Sequence, residues 1–279
     1  MDRSPLTPTL SRRGLLLGLL PCGVVVAVAV ILYPFLPRAD PHGYHEFADR
    51  RTWAGIPNFA DVVSNVPFVI IGAAGLALFH GRAPAVWLMD SRERTIYRVL
   101  FLGVCLTGFG SAYYHLQPNE DRLVWDRLPM TVIFTSFFAA VIAERVSLRL
   151  ASVRVWPLLL VGVGSLIWWK LADDLRPYIL VQFVPLIMIP LMLLCFPGRY
   201  SSTFDLLIVL GWYGIAKVCE LGDQKIFDFL GGAISGHTWK HLASAAGALW
   251  LLWTLRKRRS NRAAPVGSEA ARDLHVVGN

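Results

Sequence analysis

The chain is short of charge. Of its 279 residues only 16% are Asp, Glu, Lys or Arg, against about 25% in an average soluble domain, while 55% are hydrophobic. A soluble domain of this size must turn a polar exterior to water, so this composition excludes an ordinary soluble enzyme. It also excludes a disordered chain or a fibrous repeat, since there are 10 Trp and 15 Phe and the mean hydropathy is +0.50. Cysteine is scarce as well. Cys22, Cys105, Cys195 and Cys219 fall in apolar stretches with no paired spacing, which excludes a disulfide framework. There is no internal repeat and no Gly/Ser linker, so nothing divides the chain into separate folding units.

What is present is a series of long apolar runs. Residues 14–36 carry no charge, and 23 residues of helix suffice to cross a hydrocarbon core of roughly 30 Å. Further spans are predicted at 62–80, 97–115, 129–146, 155–169, 177–196, 204–221 and 237–255. The runs are continuous rather than alternating, so they are helices and not barrel strands. Arg12 and Arg13 give the first run a signal-like start, but its length and the lack of a small-x-small cleavage site favour a retained helix.

Charge orients these eight spans. With the N-terminus cytoplasmic, the inner segments hold 17 of the 27 basic residues and the outer ones 8, while Lys217 and Lys240 lie inside spans. The inner surface then carries +10 and the outer −4, which is the positive-inside pattern. The overall +8 is therefore a topology signal and implies no nucleic-acid partner. Both termini are expected in the cytoplasm. The expected layout is an N-terminal segment 1–13, an extra transmembrane helix 14–36, a membrane domain 37–255 and a basic, disordered tail 256–279.

Polar groups in membrane spans are costly and tend to be functional. Here they collect in one leaflet. Ser111 and His115 sit at the outer end of the third span, Asp126 just before the fourth, and His237 and His241 at the outer start of the eighth. Ser111/His115 and His237/His241 are both i, i+4 pairs, so each pair shares a helix face. Two histidines one turn apart can grip one metal ion, and His115 can add a third nitrogen from a neighbouring helix. Three His ligands on zinc leave one tetrahedral position for water, the arrangement of a catalytic site. Asp126 then stands as a carboxylate for proton transfer and Ser111 as a hydroxyl for a substrate oxygen. His42, His45, His80 and His275 lack such partners and are read as structural or solvent-exposed. Trp53, Trp168 and Trp169 are read as interfacial belt or packing.

Three segments carry a resemblance: Ser111-Ala-Tyr-Tyr-His115, Asp126-Arg-Leu-Pro129-Met130 and His237-Thr-Trp-Lys-His241. In order and spacing they resemble the motifs of the alkaline ceramidases, integral-membrane amidases of a superfamily that includes the adiponectin and progestin receptors. Cys219-Glu220 and Phe59-Ala-Asp61-Val-Val-Ser64-Asn65 are similar too, so the likeness runs from about Glu46 to Trp253. It implies an all-α, seven-helix transmembrane bundle, here with one additional N-terminal helix. It also implies zinc on His115, His237 and His241, catalytic roles for Ser111 and Asp126, and hydrolysis of the amide of ceramide or a related N-acyl lipid. Eukaryotic members also bind calcium near their first helix. The acidic motif for this is out of register here, although Glu46, Asp49, Asn58 and Asp61 could supply oxygen ligands. Arg50 and Arg51 argue against a tight calcium site, and a solvated loop held by ion pairs is the competing expectation.

Other classes remain. A receptor or scaffold that keeps zinc without catalysis would carry the same motifs. Bis-histidine haem ligation is disfavoured because His237 and His241 share one helix face. A transporter is disfavoured by the absence of repeated halves and paired broken helices. The short loops favour a bacterial inner membrane over a eukaryotic endomembrane, with the site towards the periplasm.

Overall fold

The structure, a computed structural model, describes residues 12–41, 43–80, 89–200 and 203–258. It is that of an all-α, multi-pass membrane protein. In chain order the helices are α1 (Arg12–Leu32), α2 (Phe59–Val63), α3 (Val66–His80), α4 (Ser91–Leu116) and α5 (Glu120–Arg145). They continue with α6 (Leu148–Ala172), α7 (Arg176–Cys195), α8 (Thr203–Leu221), α9 (Asp223–Phe229) and α10 (Gly236–Lys257). No strand occurs among the described residues. Six segments are long and apolar enough to cross a membrane: α1, α2 with α3, and α4 to α7. α8 and α10, of 19 and 22 residues, match them in length but carry Lys217, Glu220 and Lys240 in the halves nearer the motif histidines.

All eight expected runs are helical. Their ends differ, most of all in α5, which starts nine residues before the expected 129. The apolar pattern marks only the part of a helix that meets hydrocarbon. The helix itself continues to its cap, where the Asn119 side chain accepts from the backbone N–H groups of Asp121 and Arg122. Glu120 and Asp121 in the first turn suit the positive end of the helix dipole. The expected span 62–80 is broken. α2 stops at Ser64, Pro67 sits at the start of α3, and Ser64 and Asn65 are left in the joint with their side chains free to bond elsewhere.

α4 and α5 form the most closely packed pair, flanked by α3 and α6, while α10 packs chiefly on α8 and also on α3. α1 lies outside this group against α7, with most of its surface exposed. The four cysteines are free thiols.

At the end of the bundle opposite the histidines, the expectation of a basic, disordered tail from 256 is corrected for its first three residues: α10 runs on to Lys257, and Arg258 ends it. Its guanidinium is buried, donating to Glu93 Oε1 at 3.2 Å and to Glu144 Oε2 at 2.6 Å. It also lies over the Tyr200 ring, 4.3 Å from the centroid. Arg145 pairs with Glu144 and donates to the Phe196 carbonyl and the Thr203 hydroxyl. Two buried carboxylates need this many donors, because an unpaired charge in an apolar interior is strongly destabilising. Residues 1–11 and 259–279, with the expected N-terminal segment and most of the tail, lie outside the described residues, as do His42 and His275.

Candidate metal centre and cavity

The three motif histidines meet. His115 at the end of α4 and His237 and His241 at the start of α10 are all buried, and their ligand nitrogens lie within 4.8 Å of one another. The ring centroids form a nearly equilateral triangle of 4.8, 4.9 and 4.9 Å. His115 Nε2 and His237 Nε2 are 3.2 Å apart. Two nitrogens on one tetrahedral ion, each at roughly 2.0–2.1 Å, would be separated by about 3.3 Å. The donor set therefore fits a metal ion such as zinc.

The third ligand is prepared by the broken helix joint. Ser64 Oγ donates to the Asp61 carbonyl at 3.1 Å and so accepts from His241 Nδ1 at 2.7 Å. A proton on Nδ1 leaves Nε2 with its lone pair, and that Nε2 has no other partner. Asn65 Nδ2 donates to the same Asp61 carbonyl at 2.7 Å.

The start of α10 is held from two sides. Ser235 caps it by accepting from Thr238 N at 3.0 Å, and Asp61 Oδ1 accepts from the Thr238 hydroxyl at 2.6 Å. On the other side Asp223 Oδ1 accepts from His237 N at 2.7 Å, placing a carboxylate at the positive end of the helix. Gly236 has to be glycine, because a Cβ there would lie 2.4 Å from the Cys219 carbonyl oxygen.

Ser111 and Asp126 are brought together by a different device. Pro129 has no N–H, so the Trp125 carbonyl one turn earlier loses its intrahelical donor. That carbonyl faces Gly110, where a Cβ would be only 2.1 Å from its oxygen. α4 and α5 therefore approach most closely beside the next residues in each helix, Ser111 and Asp126. Both are buried and line the same cavity.

The 37–58 segment closes this end of the bundle. Asp40 Oδ1 accepts from Arg127 Nη2 at 2.5 Å, and Leu175 N donates to the Arg38 carbonyl at 2.6 Å. Ala48 N donates to Asp223 Oδ2 at 2.9 Å. So fastened, the segment lays Phe47 against His115 and His237, with centroids 4.7 and 4.4 Å apart. This apolar lid shields the nitrogens from water.

The four residues considered for calcium are placed differently, and the structure does not gather Glu46, Asp49 and Asp61 into one cluster. Glu46 is exposed and pairs with Arg50 at 3.5 Å. Asp49 receives Arg51 at 2.8 and 2.6 Å, and this hydrogen-bonded guanidinium holds its carboxyl below the usual carboxylate range. Asn58 donates to the His115 carbonyl at 2.8 Å, and Asp61 turns Oδ1 to Thr238 while its Oδ2 is buried without a partner. His45 bonds Tyr114 and Glu120, and His80 bonds the Leu76 carbonyl. Trp53 is exposed, whereas Trp169 packs on Arg127.

A cavity of about 270 Å³ opens from the cluster into the bundle. Its polar end includes Asn65, Ser111, Asp126, Lys217, Glu220, Lys240 and His241, and its far end includes Leu100, Phe137 and Leu251. Three helices measure its depth independently. From Ser111 to Leu100, Asp126 to Phe137 and His241 to Leu251 the axial rise is about 15–17 Å each, at roughly 1.5 Å per residue. That is about half the hydrocarbon thickness of a bilayer.

Ser64, Asp223, Phe47 and Gly110 are the supporting residues that reading for chemistry passed over. Ser64 stood inside a quoted segment without a role. Gly110 and Pro129 were visible as a glycine beside one motif and a proline within another. No protein-family model matches the chain, and no curated protein matches it.

Proposed function

We propose that the protein is a zinc-dependent membrane amidase acting on ceramide or a similar N-acyl lipid. The observation that carries this reading is the convergence of three buried histidine nitrogens beside the Ser111–Asp126 pair, at the polar end of an apolar cavity. Zinc held by His115, His237 and His241 would supply a Lewis acid that polarises an amide carbonyl and acidifies water.

The chain's own residues do the rest. The apolar cavity takes the acyl chain and sets the amide at its polar end, next to the histidines. Asp126 accepts a proton at its carboxylate from the attacking water and returns it to the leaving amine nitrogen. Ser111 turns its hydroxyl proton to the carbonyl oxygen as charge builds there. Phe47 keeps bulk water away from the nitrogens. The +10 against −4 charge balance supports cytoplasmic termini and a site facing the outer leaflet.

Metal analysis of the purified protein, joined to a lipidomic screen for released fatty acid, tests the reading. About one zinc per chain is expected, and His241→Ala should lose both zinc and amidase activity. A metal-free wild type with full activity would overturn it.

A further inference from the structure

Asp40 and Arg127 form a buried ion pair that is only half used. Asp40 Oδ1 accepts from Arg127 Nη2 at 2.5 Å, but Asp40 Oδ2 and Arg127 Nη1 are both buried without a hydrogen-bond partner. The two side chains are 9% and 4% exposed, so bulk water does not meet this demand. Arg127 is held in place by aromatic faces, with Trp169, Tyr178 and Tyr44 at 4.6, 5.0 and 5.2 Å from its guanidinium carbon. Such packing fixes a guanidinium and keeps its donors in one direction.

Location assigns the pair a task. Both residues line the polar end of the cavity, on α5 next to Asp126 in the case of Arg127. Asp40 and Tyr44 also line a second pocket, of about 320 Å³, bounded by Pro41, His45, Glu46 and Glu120 at the outer surface. Asp40 thus stands in the wall between the acyl cavity and an outward-facing pocket, with Arg127 behind it on the cavity side, where the headgroup of a lipid seated in the cavity would lie. An unmet acceptor beside an unmet donor suits a neutral group that both donates and accepts. An anion would face Asp40 and a cation would face Arg127. A buried polar site of this kind rejects a ligand that leaves its atoms unpaired.

We propose that Asp40 and Arg127 are a headgroup subsite that reads a free hydroxyl on the amine-side portion of the substrate. The inference rests on the amidase reading for its substrate and adds the residues that select it.

The test uses full-length zinc-loaded protein and two lipids with the same acyl chain, an N-acyl amino alcohol with one free hydroxyl and its O-methyl ether. Wild type should favour the hydroxyl lipid by at least about tenfold in kcat/KM. Asp40→Asn replaces the acceptor by an amide that can donate, so the preference should fall to within about threefold while zinc content is unchanged. Affinity for both lipids is read in parallel from tryptophan fluorescence. Equal affinity and equal turnover of the two lipids by wild type, or an unchanged preference in Asp40→Asn, would overturn the subsite. Discriminated binding without turnover supports the subsite and overturns the amidase reading instead.

Discussion

Gly110 meets the carbonyl of Trp125 at a distance that no side chain would allow. A Cβ at position 110 would lie 2.1 Å from that oxygen, and the oxygen is available because Pro129 cannot donate to it. The spacing of Ser111 and Asp126 depends on this contact. Gly110→Ala should push α4 and α5 apart there, lowering amidase turnover on the order of 100-fold with zinc retained, since a misplacement near 1 Å is enough for such a loss. Paired metal analysis and kinetics check this. Unchanged turnover would show that the close approach does not set the pair.

Ser64 supports His241, one of the three proposed zinc ligands, from behind. Ser64→Ala removes the acceptor for His241 Nδ1 at 2.7 Å. Zinc affinity should fall by about 10–100-fold, the usual cost of losing a partner behind a ligating histidine. Competition with a chelator measures it, and an unchanged affinity would mean that the tautomer is fixed some other way.

Asp126 separates the enzyme from a zinc-keeping receptor or scaffold. Asp126→Asn keeps the shape and removes the base. Hydrolysis should drop by roughly 10²–10⁴-fold while one zinc remains bound. If every measurable activity survives this change, catalysis is the wrong reading.

The outer segment should loosen in acid. Hydrogen bonds from Arg51 hold the Asp49 carboxyl below its usual range, and Arg51 also donates to the Ala233 carbonyl at 2.9 Å. A carboxyl whose folded pKa is depressed adds stability above its unfolded value, near 3.9, and loses it as pH falls through the lower folded value. Thermal melting of wild type should therefore fall between about pH 5 and pH 2, and Arg51→Met should flatten that part of the profile. Parallel profiles for the two proteins would count against the pair.

Much of this architecture was legible in the sequence, because hydrocarbon imposes a simple code. Eight apolar runs marked the long helices, though not the break at Ser64 and Asn65, and His115, Asp126 and His237 fell at one end because the basic residues had already fixed which ends were alike. The supporting parts were not legible, for physical reasons. Ser64 serves His241 across 177 positions of chain, and Asp223 serves Ala48 across 175. No local periodicity records such contacts. Arg258 looked like one more basic residue of a disordered tail, since a run of like charges does not reveal which member turns inward to meet Glu93 and Glu144. Asp49 and Glu46 looked like oxygen ligands because a carboxylate's partner, here an arginine two or four residues on, is a matter of side-chain geometry.

The Arg258 pairing has a mechanical consequence. Glu93 and Ser111 are 18 residues apart on α4, and Asp126 and Glu144 are 18 apart on α5, which is five turns at about 3.6 residues each. In each helix the buried charge therefore sits on the same side as the site residue, about 27 Å along the axis. α10 carries His241 near its start and is fastened to both glutamates just beyond its end. These three helices behave like shafts running in two bearings, and a twist that loosened one end would have to break the other. α8 leans on α10 and barely touches α7. Among the consecutive helices from α3 to α8 the seam between α7 and α8 is thus the loosest, while Arg258 ties the far ends of α4, α5 and α10 together.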